Sequence, residues 1–229
     1  MRFMKNNFTI HTIVLFLSVF FICSGSYFIY VYAPIEKIMG IPQKIFYFHV
    51  SFAWWSFFSF FLVCIFSLLY ILKKDYKYIL WSISAAEIGV LYSTVVLITG
   101  IIWGKASWNT YWTWDPRLIT TLIMWFMYII YLVIVNIDIP EHKRYILASA
   151  LGIVAFLDVP LVFLSARMWR SIHPAIFASK GGGMPREMLY TMLINLFAYG
   201  LLFFYLYILR KNQLTIKYKI EQIMRNKIF

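Results

Sequence analysis

ILWSISAAEIGVLYSTVVLITGII (Ile79–Ile102) runs without a break into WGKASWNTYWTWDPR (Trp103–Arg117). The first part decides the fold. Glu87 is its single charge, and about 20 predominantly apolar residues are enough to carry an α-helix across a bilayer. The second part indicates where function sits. Trp103, Trp108, Tyr111, Trp112 and Trp114 crowd one short stretch, interrupted by Lys105, Asn109, Asp115 and Arg117. That is neither a plain hydrophobic span nor an ordinary polar loop. It reads as an aromatic shelf beside a membrane. Flat apolar rings near a cation suit a flat apolar ligand that carries carboxylates, and haem is the obvious candidate.

Working outward, five further apolar segments are long enough to span: Ile10–Tyr32, Ile45–Leu72, Leu118–Val135, Tyr145–Ser165 and Met188–Leu209. The composition agrees. Hydrophobic residues make up 62% of the 229, charged ones only 13%, and the mean hydropathy is +0.76. In soluble domains about a quarter of residues are charged. The expected fold is an all-α integral membrane protein, a bundle of six transmembrane helices. No internal repeat or low-complexity linker divides it, so residues 1–229 read as a single transmembrane domain. Met1–Asn7 is basic like a signal n-region, but the apolar run after it exceeds the roughly 7–15 residues of a signal h-region. It reads as a retained first span.

The net charge of +12 points to membrane lipid rather than nucleic acid, because helical membrane proteins collect Lys and Arg in cytoplasmic connections. With six spans both termini share a side. That side holds 13 of the 21 basic residues, so both termini are expected to be cytoplasmic. The opposite side carries the longer connections, Ala33–Lys44, the Trp-rich segment and Ala166–Glu187, and function is expected there.

His49, near the outer end of span two, and His173, in the last outer connection, flank the Trp-rich segment. Neutral imidazole is a common haem-iron ligand. A His near a helix end serves equally well as a hydrogen-bonded interfacial residue, and spacing alone leaves both roles open. His11 and His142, on the terminus side, read as structural or solvated. The aromatics, too, have a second reading as a membrane-interface belt, and Trp54, Trp55, Trp125 and Trp169 read either as belt or as pocket wall. Asp115-Pro116 starts span four, since Asp caps a helix and Pro fits its first position; Asp115 could also accept from a Trp indole. Arg117 then falls in the first helical turn, where the helix dipole disfavours a cation. An anionic partner such as a haem propionate would account for it. For Arg167 and Arg170, lipid headgroups are an equal alternative.

Glu87 and Asp158 lie within spans, where carboxylates are costly and are functional candidates by default. They mark a haem or proton path, or simply bond to neighbouring helices. Pro160 is expected to loosen span five beside Asp158. Cys23 and Cys64 form no CxxC pair and read as small hydrophobes. Gly181-Gly182-Gly183 is not a phosphate loop. No catalytic nucleophile or ATPase motif is seen, and binding and transfer rather than catalysis is expected.

WGKASWNTYWTWDPR resembles the tryptophan-rich WWD signature of the haem-handling proteins of cytochrome c biogenesis, and within them the CcmC family. Trp103, Gly104, Trp108, Trp112, Trp114, Asp115 and Arg117 match the pattern. Asn109 stands where the family has a second Gly, and Tyr111 where it has a Trp. FYFHVSFAWWSF and PLVFLSARMWRSIHP resemble the segments that carry the family's two haem-ligating His, which map to His49 and His173. Met168-Trp169 stands where two adjacent Trp are usual. The resemblance implies a six-span protein of the bacterial inner membrane, or an organelle inner membrane. Haem b would be held outside as a passing ligand, between His49, His173 and the Trp segment. It implies presentation of that haem to the chaperone CcmE, with the small protein CcmD and the ABC transporter formed by CcmA and CcmB as further partners. A CcsA-type cytochrome c synthase shares the WWD segment and is the alternative, although it tends to carry further spans and further His. A b-type electron-transfer subunit, with His pairs inside the bundle, ranks third.

Overall fold

A computed structural model describes residues 2–37, 39–168 and 184–228. It is all-helical. α1 (Arg2–Tyr27) ends in a π-helical turn, Phe28–Tyr32, and a short 3-10 turn, Ile41–Lys44, leads into α2 (Ile45–Lys73). α3 (Tyr76–Trp108), α4 (Pro116–Ile134), α5 (Glu141–Phe156), α6 (Asp158–Met168) and α7 (Arg186–Ile228) follow. Six stretches are long and apolar enough to cross a membrane, with α5 and α6 together forming the fifth.

α2 and α3 are the central pair. α7, with α1 outside it, packs on one side of them, and α4, α5 and α6 on the other. In lipid the hydrophobic effect does not drive helices together, so close packing of small residues must do so. α3 supplies them: Ser82, Ser84, Ala85, Ala86, Gly89 and Ser93 are all buried. Ser59 of α2 donates to the Ala85 carbonyl at 2.6 Å. A Cβ on Gly89 would stand 2.6 Å from the Phe60 ring, and that ring stacks on Tyr128 of α4 at 3.7 Å and 6°. Ile13, Phe16 and Phe20 of α1 remain exposed, as lipid-facing side chains should be.

The turn between α2 and α3 is two residues long. Lys74 closes α2 in the left-handed region, φ 54°, with its N–H on the Tyr70 carbonyl at 2.8 Å. Asp75 then caps α3 by accepting from the Lys77 N–H at 2.9 Å. That hydrogen bond and the Lys77 ammonium, 2.8 Å away, hold the Asp75 carboxyl below the usual aspartate range.

Span five breaks where expected. Pro160 has no N–H to give to the preceding turn, and α5 gives way to α6 at Leu157, whose own N–H reaches back only to Val154 at 3.1 Å. Several helices extend beyond the hydropathy reading, α1 among them, which starts at Arg2 rather than Ile10. α3 does not stop at Ile102 but carries Trp103–Trp108 as helix, so the first part of the Trp-rich segment is no connection. Helical hydrogen bonding continues there although hydropathy falls. α7 likewise runs past Leu209 to Ile228, and α5 starts at Glu141, ahead of Tyr145.

The two intramembrane acids are now distinguished. Glu87 receives a two-pronged contact from Arg210 of α7, Nε to Oε2 and Nη2 to Oε1, the latter at 2.8 Å. Asp158 has no such partner among the described residues. His11 is structural, edge-on to Tyr205 and 3.4 Å from the Asn212 amide.

Candidate functional site

His49 and the Trp-rich segment lie at the end of the bundle away from the termini. Lys44 closes the entry to α2 by donating to the Ile29 and Tyr30 carbonyls, at 2.8 and 3.0 Å. Those carbonyls belong to the last turns of α1, which lack further helix to receive them. One turn on, His49 faces α3. Its Nδ1 is 3.0 Å from Thr99 Oγ1. The single Thr99 hydroxyl proton is directed at the Val95 carbonyl, 2.7 Å away. With that proton on the Val95 carbonyl, the Thr99 oxygen accepts from His49 Nδ1–H. A neutral imidazole so arranged carries its lone pair on Nε2. Gly100 makes room for the ring, since a Cβ there would stand 3.2 Å from His49 Cε1.

Trp103 lies edge-on to His49 with ring centroids 5.7 Å apart, and edge-on to Phe46 at 6.2 Å. It is buried, in a cluster with Ile29, Phe46, Tyr47, Met188 and Met192. Trp103 thus joins the aromatic segment to the His-bearing helix. α3 ends at Trp108, and Asn109 follows in the left-handed region, φ 56°. Asn tolerates that conformation better than most residues, which explains how it stands where the related pattern has Gly. Lys105 ties this end, donating to Asn109 Oδ1 at 3.0 Å and lying 5.2 Å from the Tyr111 ring centre.

Asp115 caps α4, accepting from the Arg117 N–H at 2.9 Å, with Pro116 at the first helical position. The capping role read from the sequence is observed. Arg117 sits in the first turn and is partly buried.

The aromatics divide by exposure. Trp103 is 4% exposed, Trp108 and Trp112 are intermediate, and Tyr111 and Trp114 are 63% and 80% exposed. Trp112 and Trp114 meet edge to face at 6.3 Å. Two of the other Trp are neither belt nor shelf. Trp55 donates to the Leu196 carbonyl of α7, and Trp125 to Thr94 of α3, each at 2.8 Å. Trp54 is 45% exposed and touches Phe163. Sequence reasoning missed Thr99 and Gly100. Neither has a local signal, because each matters only through the helix facing it. His173, Trp169 and Arg170 lie outside the described residues, as does the Arg167 side chain.

A family model described as CcmC, heme exporter protein C, matches residues 1–226. The chain is 30% identical over 194 residues to a cytochrome c biosynthesis ccmC-like mitochondrial protein of Marchantia polymorpha, covering 83% of this chain and 81% of that protein. It is 31% identical over 174 residues to heme exporter protein C of Bradyrhizobium diazoefficiens, covering 75% and 66%. Against heme exporter protein C of Haemophilus influenzae it is 29% identical over 194 residues, covering 81% and 76%. The match falls on the family that the Trp-rich segment resembles. The six-span chain with its buried Trp103 against His49 belongs to the heme exporter protein C (CcmC) family, membrane components of haem handling in cytochrome c biogenesis.

Proposed function

We propose that this protein, acting over residues 1–229 as one transmembrane domain, holds haem b in passing at the end of the bundle away from its termini and presents it to the chaperone CcmE. His49 and His173 are the axial ligands of the iron. Trp103, Trp108, Tyr111, Trp112 and Trp114 form the apolar platform, Asp115 fixes the start of α4, and Arg117 meets a propionate. CcmD and the CcmA–CcmB transporter are the further partners. The membrane is a bacterial inner membrane with both termini cytoplasmic. The protein supplies binding and orientation, and the reactive group belongs to the haem itself.

The observation that carries this reading is the hydrogen bond from His49 to Thr99. It leaves the lone pair on Nε2, the form in which imidazole binds iron, and a second residue orienting a ligating His is the usual arrangement. The exposed rings of Tyr111 and Trp114 add support, because a cargo that must be handed on needs a surface open to its acceptor.

The test is the absorption spectrum of the detergent-purified protein co-expressed with CcmE, beside His49→Ala and His173→Ala. Co-purified low-spin haem that is weakened or lost in each variant supports the site. Haem indifferent to both substitutions, together with unchanged loading of CcmE, would falsify it.

A further inference from the structure

Of the two carboxylates inside spans, one is neutralised and one is not. Glu87 is held by Arg210, which also reaches Gln213. Asp158, the first residue of α6, is 8% exposed, and its Oδ2 has no hydrogen-bond partner. Among the described residues no cation pairs with it. Burying a lone charge there costs far more than burying a neutral acid.

Asp158 stands at one end of a run of hydroxyls. α6 packs against α4, where Tyr128, fully buried, lies one turn from Tyr131 and donates to the Phe60 carbonyl at 3.5 Å. The Tyr131 hydroxyl is 2.8 Å from Ser82 Oγ of α3, which is 2.9 Å from Ser67 Oγ of α2. α5 closes against this group through Gly152, where a Cβ would stand 2.9 Å from Ser67 Oγ and 3.1 Å from the Tyr131 ring. One turn toward the terminus end is Ser149, fully buried, with an unpartnered Oγ. One further turn on is Tyr145, whose hydroxyl is 2.8 Å from that of Tyr76 and receives Arg144 Nη2 at 3.0 Å. Arg144 Nε is another buried donor without a partner. Tyr145, Ser149 and Gly152 share one face of α5, as spacings of three and four require. Polar side chains of four helices thus follow one another in a seam from the terminus end of the bundle toward α6, whose first residue is Asp158.

We propose that Asp158 is a proton-binding site and that this seam is its route of exchange with the terminus-side surface. Asp158 holds a proton at neutral pH. Bound water joining Ser149 Oγ and Asp158 Oδ2 to their neighbours is part of the proposal. In transfer, each hydroxyl or water accepts one proton and releases one, so no charge is left in the seam and only Asp158 alternates between acid and carboxylate. Among the described residues the titratable groups nearest it in the fold are Tyr128 and, beyond it, Tyr131 from α4, with Cys64 on α2; α5 carries no titratable residue after Tyr145, and α6 itself also carries Arg167, whose side chain lies outside the described residues.

The test is infrared spectroscopy of the full protein in lipid nanodiscs at neutral pH. The expected result is the carbonyl stretch of a protonated carboxylic acid that shifts when side-chain carboxyls of aspartate are labelled with heavy carbon. It should vanish in Asp158→Asn, persist in Glu87→Gln, and move in Tyr128→Phe. The isotope shift needs no substitution, so a variant that fails to fold leaves the test intact. Absence of any aspartic-acid band in the parent overturns the proposal. The route is tested by the rate at which the band shifts after transfer to heavy water. Tyr131→Phe should slow it roughly tenfold, an added barrier of about 1.4 kcal/mol. An unchanged rate overturns the seam as the route.

Discussion

His49 Nδ1 and Thr99 Oγ1 stand 3.0 Å apart, and that one bond decides which imidazole nitrogen carries the lone pair. While the Thr99 proton is directed at the Val95 carbonyl, 2.7 Å away, its oxygen accepts from His49 Nδ1–H. A hydrogen bond made within one helix therefore sets the chemistry of a side chain on another.

Thr99→Val keeps the shape and removes the acceptor. Losing the partner of a fully buried polar group costs about 1–3 kcal/mol; His49 is partly buried, so the cost here is at the low end, and the ring loses this restraint. The expected outcome is a lower haem content in the purified protein, read from absorbance per mole of chain, with recovery in Thr99→Ser. Equal haem in Thr99→Val and the parent would remove this bond from the binding argument.

Asn109 tests the turn that follows α3. Its φ of 56° is costly for a residue with a Cβ, by about 1–2 kcal/mol, and Asn meets that cost better than most. Asn109→Gly should match or exceed the parent in thermal stability. Asn109→Val should fall below it and disturb the fluorescence of the neighbouring Trp residues. A Val variant as stable as the parent would contradict the turn described here.

Glu87 and Arg210 tie α3 to α7. Their side chains are 27% and 39% exposed, so removing one partner should cost about 1–3 kcal/mol, less than the ~3–5 kcal/mol of a fully buried pair. Arg210→Gln and Glu87→Gln should each lower the unfolding temperature in one detergent, and the double variant should lose less than the two singles together. Strict additivity would mean that the contact contributes nothing beyond its parts.

Asp75 predicts an acid-side effect. Its carboxyl is held below the aspartate range by the Lys77 N–H and ammonium. A lowered value in the folded state means stability fully present above the unfolded-state pKa of about 3.9. It is lost as pH falls through the lowered folded value. Thermal melts recorded from neutral pH into that acid range should drop more for the parent than for Asp75→Asn. Parallel curves would show that the cap is not coupled to folding.

Six spans were legible because each carries its apolar residues in an unbroken run, and the Asp115-Pro116 cap because its signal is local. The ends of α3 and α7 were not. Both helices continue beyond the apolar run, α3 through Lys105 and α7 through Lys211–Lys219, where hydropathy falls while backbone hydrogen bonding does not. The Trp cluster announced itself by composition, yet its division into buried Trp103 and exposed Trp114 depends on which side of α3 and its turn meets α2. Thr99 and the Glu87–Arg210 pair depend likewise on facing helices 50 and 123 residues away in the chain, a separation that no window of sequence spans.

α7 has a mechanical consequence. Its 43 residues make a rod of roughly 65 Å at 1.5 Å per residue, about twice the hydrocarbon thickness of a bilayer. At one end Met188 and Met192 pack in the cluster around Trp103; at the other Arg225 reaches Glu141 at 3.1 Å. Span five contains a joint at Leu157, but α7 contains none. One unjointed helix therefore bridges the Trp103 region and the base of α5.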